Sequence, residues 1–217
     1  MPKALRIGIT MREVRAAGYD ELRDALARDW GRFMAAALPE AAWLPIPNLG
    51  GAAAAAFCDR WYLQGLILSG GDDLGATPLR DETERALLDH FSVRGLPVLG
   101  ICRGLQLMWT QFGGELARVD GHAATRHPAR CVRDTAFGAH EGETREVNSF
   151  HAWGIVAGVV HAGSRRLVPF ACDDGGHVEG AASPDGSIVG VMWHPEREAP
   201  AHPQDVALAR QVFGYEG

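Results

Sequence analysis

The sequence predicts an α/β protein with an open, mostly parallel central sheet and helices on both faces. In the first half, short apolar runs typical of buried strands alternate with segments of helical spacing. In the second half, short strand-like runs are separated by Gly, Asp, Pro and Ser turns, which predicts a few antiparallel strands. No linker or change in composition divides the 217 residues, so we expect one domain over residues 1–217.

The first half of the chain yields four strands and two helices. Strands are predicted at ALRIGIT (4–10), WLPIP (43–47), GLILSGG (65–71) and LPVLGI (96–101). Apolar residues recur with helical spacing at Leu22, Leu26, Trp30, Phe33 and Ala37, which predicts one helix over this stretch. The alanine-rich run that follows the second strand predicts the second helix.

End signals bound two further helices. Asp81 followed three residues later by Glu84 resembles a capping box and predicts a helix start there, continuing to about His90. The helix RGLQLMWTQF is expected to stop at the pair Gly113–Gly114. The later strand-like runs are ARCVRD (129–134), TREVNSF (144–150), RRLVPFAC (165–172) and SIVGVMWH (187–194), before a final predicted helix at 202–217.

Composition excludes several classes of function. A net charge of −6 without a Lys/Arg cluster argues against a nucleic-acid or anionic-membrane partner. The N-terminus lacks a signal-peptide pattern and no run reaches membrane-spanning length, so we expect a cytoplasmic protein. The chain also lacks phosphate-cradling glycine motifs, so we expect no ATP, NAD or other cofactor. A small-molecule substrate remains, and a homodimer stays open.

Cys102 lies where the strand LPVLGI gives way to a helix. Ligands of open parallel sheets bind beyond the carboxyl ends of the strands, which is where this thiol is expected. Gly100 and Gly104 would relieve crowding around a sharp turn, as in a nucleophile elbow with Cys in place of Ser. Free N–H groups at the helix start would stabilise a thiolate. The alternative is that Cys102 is a small buried apolar residue.

A cysteine nucleophile needs an oxyanion hole and a base. The N–H of Arg103 directly follows the nucleophile, and a second N–H is expected from Gly71, although Gly70 and Gly71 could equally form a plain tight turn. His194 and Glu196 are separated by one residue after a strand-like run. On an extended segment they would lie on the same side, so Glu196 can hold the imidazole while His194 faces the thiol.

Four stretches, LILSGG, PVLGICRGLQL, VNSFH and GVMWHPERE, occur in this order over nearly the whole chain and resemble the class I glutamine amidotransferase family. The resemblance implies a flavodoxin-like fold, a triad of Cys102, His194 and Glu196, and an oxyanion hole from Gly71 and Arg103. It further implies that the glutamyl group is bound by loop and helix residues, namely Gly70, Gln106, Asn148, Ser149 and the backbone of Phe150.

Within that family, IGIT, RDETE and VNSFHAWGI are most similar to the gamma-glutamyl hydrolase branch. The resemblance implies cleavage of a gamma-glutamyl amide through a glutamyl thioester, releasing glutamate and an amine. YDELRDALARDW is similar to bacterial hydrolases that release a cytidine-diphosphate amidate during phosphoramidate decoration of surface polysaccharide. The leaving amine itself stays open, because no general code describes acceptor loops.

Two other functions are compatible with these residues. The same triad would serve a glutaminase subunit that delivers ammonia to a separate synthase. A non-catalytic binding or chaperone-like relative would retain the fold, although the intact triad argues against it. His122 and His127 bracket GHAATRH without a companion cysteine or carboxylate at a known ligand spacing, so we expect no metal.

Overall fold

The computed structural model describes residues 4–156 and 166–215. The strands are β1 (Arg6–Thr10), β2 (Arg12–Arg15), β3 (Leu22–Ala25), β4 (Ala42–Ile46), β5 (Gly65–Leu68), β6 (Val98–Ile101), β7 (Leu116–Arg118), β8 (Thr125–Cys131), β9 (Thr144–Ser149), β10 (Trp153–Val156), β11 (Val168–Cys172), β12 (His177–Ala182) and β13 (Ile188–Val191). The helices are α1 (Asp29–Ala37), α2 (Gly51–Trp61), α3 (Pro78–Val93), α4 (Arg103–Gln111) and α5 (Pro203–Val212).

Eleven of these strands form one mixed sheet. Strands β4, β1, β5, β6 and β13 lie side by side and pair in parallel. The sheet continues through β12, β11, β8 and β9 with antiparallel pairs, and β10 pairs with both β12 and β7. The predicted α/β class, with a parallel first half and antiparallel strands in the second, is confirmed.

The apolar core lies on both faces of the sheet. Alternate residues of one strand enter opposite layers: Ile67 packs in the layer with α1 and α5, whereas Leu66 and Leu68 pack in the layer with α2, α3 and α4. All three side chains are fully buried. The continuous apolar runs of the parallel strands therefore reflect burial on both sides.

The predicted long helix that begins at Leu22 is wrong in its first half. Leu22–Ala25 is strand β3, which forms an antiparallel hairpin with Arg12–Arg15, and α1 begins only at Asp29. Gly18 at φ +89° permits the turn between the two strands. The helical spacing from Leu22 to Ala37 was thus partly accidental, because cross-strand pairing overrides it in the first residues.

The predicted capping box is also wrong. Helix α3 begins at Pro78, so Asp81 and Glu84 lie inside it. A carboxylate oxygen of Asp81 accepts the N–H of Gly75 at 2.7 Å, whereas Glu84 is fully buried in an ion network. Pro78 at the first helical position marks the true start of α3. An N–H at that position would have no acceptor within the helix, so proline loses no hydrogen bond there.

The remaining elements agree with the predicted ones to within a few residues, except for three short strands that the sequence did not indicate. These are β7, β10 and β12. Glycines at 113 and 114 end α4 as expected, with the Gly114 N–H donating to Trp109 O at 2.9 Å. Arg165, the first residue of one predicted strand, and residues 216–217, the end of the last predicted helix, lie outside the described residues. None of the described helices combines the length and apolarity needed to cross a bilayer.

The close packing of α4 on the sheet explains the glycines around Cys102. A Cβ on Gly104 would lie 2.3 Å from the Leu68 carbonyl oxygen, and one on Gly100 would lie 2.8 Å from the Gly104 carbonyl carbon. Both distances are far below van der Waals contact. Any side chain at these positions would push the helix away from the strand ends.

We therefore expect Gly104→Ala to lower the free energy of unfolding by about 1–3 kcal/mol, the usual cost of overpacking. Gly31→Ala is a matched control in the first turn of α1, because nothing lies within 4 Å of a Cβ there. It should raise stability by roughly 0.4–1 kcal/mol. Urea unfolding measures both, and equal effects would contradict the proposed packing constraint.

Candidate active site

Three neighbouring parallel strands end at the same edge of the sheet and bring the predicted site residues together. Gly70 and Gly71 follow β5, Cys102 follows β6, and His194 comes three residues after β13. The Cys102 N–H donates to Val191 O at 2.7 Å, which joins the cysteine turn to the end of β13. The site therefore lies where open parallel sheets place their ligands.

Cys102 has the strained backbone of an elbow. Its φ of 51° and ψ of −104° are rare for a residue with a side chain. The residue is 4% exposed. Arg103 directly after it is the first residue of α4, so its N–H belongs to the helix start that lacks an intrahelical acceptor.

His194 is held between Cys102 and Glu196. Nδ1 of His194 lies 2.7 Å from Oε1 of Glu196, and a 3-10 turn over Pro195–Arg197 brings the carboxylate back to the ring. Burial disfavours the charged ring, but hydrogen bonds to Cys102 and Glu196 outweigh it and raise the pKa of His194 to about 9. A protonated imidazole beside a thiol is the arrangement that stabilises a thiolate.

The loop after β5 is shaped around His194. A Cβ on Gly70 would lie 2.5 Å from Cε1 of the imidazole, so this position has room only for glycine. Gly71 has φ +121°, a conformation that L side chains rarely adopt. Among the described residues, the N–H groups of Gly71 and Arg103 donate to no protein acceptor, so both are available to an anion.

A buried ion network supports both loops of the site. Nη2 of Arg80 donates to Ser69 O at 2.8 Å and to Gly70 O at 3.0 Å, and its Nε donates to Glu84 at 2.9 Å. Glu84 also accepts a hydrogen bond from Arg103. Both guanidinium groups and the Glu84 carboxylate are buried, so the network joins the glycine loop to the helix after the nucleophile.

Arg80 and Glu84 were not predicted as site residues. Their signal in the sequence is a pair of opposite charges four residues apart on the face of α3 that also carries Thr83, Leu87 and Leu88. On a helix face that is otherwise apolar, such a pair indicates buried charges with a positioning role.

The predicted glutamyl-binding residues lie around the same edge, with several side chains already engaged. The Gln106 amide donates to Trp153 O at 2.7 Å, and the Ser149 hydroxyl donates to His122 O at 2.7 Å. The amide of Asn148 accepts the His194 N–H at 2.8 Å and donates to His194 O at 2.9 Å.

The Phe150 side chain lies over the imidazole. The residue is 45% exposed, and its ring packs edge-on against His194 with centroids 5.7 Å apart. The guanidinium of Arg197 lies 4.2 Å from the centroid of the same ring. Phe150 therefore stands between the base and solvent.

A cavity of about 350 Å³ lies elsewhere, beside α5 and the antiparallel strands. It is lined by apolar and polar side chains that include Ala129, Phe170, Trp193, Asp205 and Leu208. Neither Cys102 nor His194 lines it. We place the candidate site by its chemistry, because nucleophile, imidazole and free N–H groups converge at the strand ends and not in this cavity.

Comparison with known proteins agrees with this fold. A family model described as peptidase C26 matches residues 7–196. Gamma-glutamyl-CDP-amidate hydrolase of Campylobacter jejuni is 28% identical over 202 residues, which are 88% of this chain and 90% of that protein. One subunit of the glutamine-hydrolysing GMP synthase from Methanoculleus marisnigri is 34% identical over 141 residues, which are 61% of this chain and 65% of that protein.

A solved structure from Thermoplasma acidophilum superposes with a TM-score of 0.72 at 17% identity, covering 99% of this chain and 97% of that chain. At this identity the likeness shows the fold alone. Fold, site and relatives together define a hydrolase of the glutamine amidotransferase-like class. The chain belongs to the peptidase C26 family.

Removing the charge at the centre of the ion network should destabilise the fold. Glu84→Gln leaves two buried guanidinium groups without their shared carboxylate, while Arg103 keeps Asp81 and Arg80 keeps Asp72 at 3.4 Å. We therefore expect a loss of about 1–3 kcal/mol in the free energy of unfolding. Glu82→Gln is the control, because this exposed carboxylate bonds only the Gly51 N–H at 2.9 Å among described residues. It should cost less than about 1 kcal/mol. Similar losses in both variants would contradict the central role of Glu84.

The raised pKa of His194 predicts a pH dependence of stability. Because the folded-state pKa of about 9 exceeds the unfolded value of roughly 6.5, the contribution is complete below about pH 6.5 and is lost as pH rises towards 9. Glu196→Gln should flatten this decline, whereas Glu146→Gln, at an exposed site, should retain it. Urea unfolding across this pH range is the measurement, and an unchanged slope in Glu196→Gln would refute the assignment.

Proposed function

We propose that the protein is a cysteine-dependent hydrolase of gamma-glutamyl amides. In this proposal Cys102 is the nucleophile, His194 is the general acid and base, and Glu196 orients the imidazole. The N–H groups of Gly71 and Arg103 form the oxyanion hole. The observation that carries the proposal is the elbow cysteine beside an imidazole whose Nδ1 lies 2.7 Å from a buried carboxylate.

Acylation begins with the charged pair of thiolate and imidazolium. The sulfur of Cys102 attacks the gamma-carbonyl carbon, and the carbonyl electrons move to oxygen, where the N–H groups of Gly71 and Arg103 stabilise the charge. When the tetrahedral intermediate collapses, the C–N bond breaks. His194 donates its proton to the departing nitrogen, which leaves as a neutral amine and a glutamyl thioester on Cys102.

Deacylation reverses the proton transfers. Neutral His194 removes a proton from water, whose oxygen attacks the thioester carbonyl in the same oxyanion hole. The C–S bond then breaks, which releases glutamate and returns the thiolate and imidazolium pair. Glu196 keeps Nδ1 protonated throughout, so Nε2 is the atom that exchanges protons with substrate.

The glutamyl group would be held by residues beside the nucleophile. Gly70, Gln106, Asn148, Ser149 and the backbone of Phe150 are the proposed contacts. The side chains of Gln106, Asn148 and Ser149 already form hydrogen bonds within the protein. Main-chain groups beside Cys102 and in the segment 148–150 would therefore make most of the contacts with the glutamyl group.

Similarity to the Campylobacter jejuni protein over 88% of this chain favours a gamma-glutamyl-CDP-amidate as the substrate. The leaving nitrogen would then belong to a cytidine-diphosphate amidate, as in phosphoramidate decoration of surface polysaccharide. A cytoplasmic enzyme of this kind needs no bound cofactor for the chemistry at Cys102.

The second candidate is a glutaminase subunit that passes ammonia to a synthase. It is favoured by the 34% identity with one subunit of a glutamine-hydrolysing GMP synthase. A synthase partner should then raise glutaminase activity, whereas a stand-alone hydrolase should need no partner. A non-catalytic relative would form no thioester at all.

Cys102→Ser should lower glutamate release by roughly 10⁴-fold or more while the chain stays folded, because a serine hydroxyl is far less acidic than a thiol. The control is Cys131→Ser in β8, whose hydroxyl can still donate to Arg133 O. Full activity in Cys102→Ser would end the proposal. Mass spectrometry of the wild-type protein during turnover should detect a glutamyl adduct on Cys102 and on no other cysteine.

The substrate class is tested by comparing glutamine, simple gamma-glutamyl amides and gamma-glutamyl-CDP-amidate. We expect kcat/KM to be highest for the last compound. Glutamine hydrolysis that dominates, and that increases when a synthase is added, would instead support the subunit function. No release from any conjugate would contradict both enzymatic proposals.

A further inference from the structure

Three histidines and a glutamate from separate segments meet near the candidate active site. His122 lies between β7 and β8, His127 in β8, His151 just after β9, and Glu179 in β12. Their side chains are 8%, 13%, 3% and 1% exposed. Oε1 of Glu179 lies 3.7 Å from Nε2 of His122 and 3.8 Å from Nε2 of both other histidines. The proposed mechanism uses none of these side chains.

The three imidazoles are fixed in the same tautomer. Nδ1 of His122 lies 2.9 Å from Asp120 O, Nδ1 of His127 lies 3.2 Å from Pro128 O, and Nδ1 of His151 lies 3.0 Å from Trp153 O. A carbonyl oxygen accepts only, so each Nδ1 carries a proton, which leaves Nε2 of each ring as the nitrogen that faces the cluster. Metal-binding histidines typically have their second nitrogen held in this way.

Most of the atoms that face the cluster have no other partner, although Nε2 of His122 also lies 2.9 Å from a carboxylate oxygen of Asp173. Among the described residues, Nε2 of each of the three histidines and both carboxylate oxygens of Glu179 are buried without a hydrogen bond. Buried polar groups in proteins are rarely left without a hydrogen bond, because each such group lowers the stability of the fold. Buried unpartnered atoms on side chains that face one another point to a shared ligand.

Neither a proton nor a water molecule satisfies the whole cluster. A protonated Glu179 could donate one hydrogen bond, and its distances of 3.7–3.8 Å to the rings are too long for one. Water has two hydrogens for three lone pairs and a carboxylate. One ligand atom from each of His122, His127 and Glu179 lies within 4.8 Å of the other two. A tetrahedral Zn²⁺ ion with bonds of about 2.0–2.1 Å separates its ligand atoms by roughly 3.3–3.4 Å, so these three side chains could close on one ion.

We propose that His122, His127 and Glu179 form a binding site for a divalent transition-metal ion of the zinc type, with His151 beside it. Imidazole nitrogens with one carboxylate match zinc and its neighbours, whereas magnesium and calcium prefer oxygen ligands. No sequence motif indicates this site, because the ligands come from separate places in the chain with no recognised spacing. The proposal runs against the sequence-based expectation of no metal, which was argued from the spacing of His122 and His127.

The charge around the cluster also favours a divalent ion. A carboxylate oxygen of Asp173 lies 2.9 Å from Nε2 of His122 and 2.9 Å from Nδ1 of His177. Carboxylate oxygens of Asp173 and Glu179 thus lie 2.9 Å and 3.7 Å from Nε2 of His122. A divalent ion bound at this nitrogen would balance the negative charge of two neighbouring carboxylates.

The site adjoins the loop proposed to bind the glutamyl group. His122 O accepts both the His151 N–H at 3.0 Å and the Ser149 hydroxyl at 2.7 Å. Trp153 O lies within hydrogen-bond distance of His151 and of the Gln106 amide. The metal would therefore fix the segment from Ser149 to His151, a positioning role that rests on the proposed function.

The first test is metal content. The whole chain, purified without a histidine tag, should contain about one equivalent of zinc per protein molecule. Elemental mass spectrometry measures this content. After removal with a chelator, titration with Co²⁺ should give the strong visible absorption of a tetrahedral site with nitrogen ligands, and Zn²⁺ should displace it. Absence of bound metal together with no tight Zn²⁺ or Co²⁺ binding would overturn the proposal.

Matched variants locate the site. Glu179→Gln and His127→Gln should each weaken Zn²⁺ binding by on the order of 10²-fold or more, since each removes a ligand. His140→Gln is the control, because this histidine is largely exposed and pairs only with Asp134 among described residues. Wild-type affinity in both cluster variants would refute the assignment. If either variant fails to fold, the wild-type protein still decides, because its melting temperature should rise on adding Zn²⁺ and saturate at one equivalent.

The metal site and the proposed hydrolase can fail independently. Cys102→Ser should bind zinc like the wild type while losing activity. Removing zinc from the wild type should raise KM for gamma-glutamyl amides more than it lowers kcat, if the ion only positions the loop. Zinc binding without any change in KM would refute the positioning role and leave the metal site standing.

Discussion

The carboxylate of Glu84 is shared by two buried guanidinium groups, and the geometry of the candidate active site depends on that sharing. Arg80 bonds the main-chain oxygens at the end of β5, whereas Arg103 begins the helix that follows Cys102. Arg103 also pairs with Asp81 and Arg80 with Asp72, but among the described residues Glu84 is the one carboxylate that bonds both guanidinium groups. Glu84 therefore holds the glycine loop and the cysteine turn at a constant separation, which an oxyanion bound between them would require.

The sequence predicted most of the fold because the parallel strands are buried on both faces and so appear as continuous apolar runs. It failed where local pattern and tertiary pairing disagree. Leu22 and Leu26 fit a helical period, yet the chain before Asp29 pairs with Arg12–Arg15 instead. The strand His177–Ala182 was missed because its sequence has little strand preference of its own. It is a strand because it pairs with neighbouring strands on both sides.

For the site, the sequence indicated the residues whose chemistry depends on local geometry. Cys102 was recognisable from its flanking glycines, and His194 with Glu196 from their spacing. Arg80 was not, because its role arises from contacts with main-chain oxygens far along the chain. The histidine cluster was equally hidden, since its members converge only after four separate segments have folded together.

Asn148 joins the end of β9 to His194 through both ends of its amide, at 2.8 and 2.9 Å. With two bonds to one residue's main chain, the loop and the imidazole have little freedom to shift separately. A substrate that bound badly and displaced this loop would also move the His194 imidazole out of line with the Cys102 sulfur. Selectivity among substrates would then appear in the rate of C–N bond cleavage as much as in binding affinity.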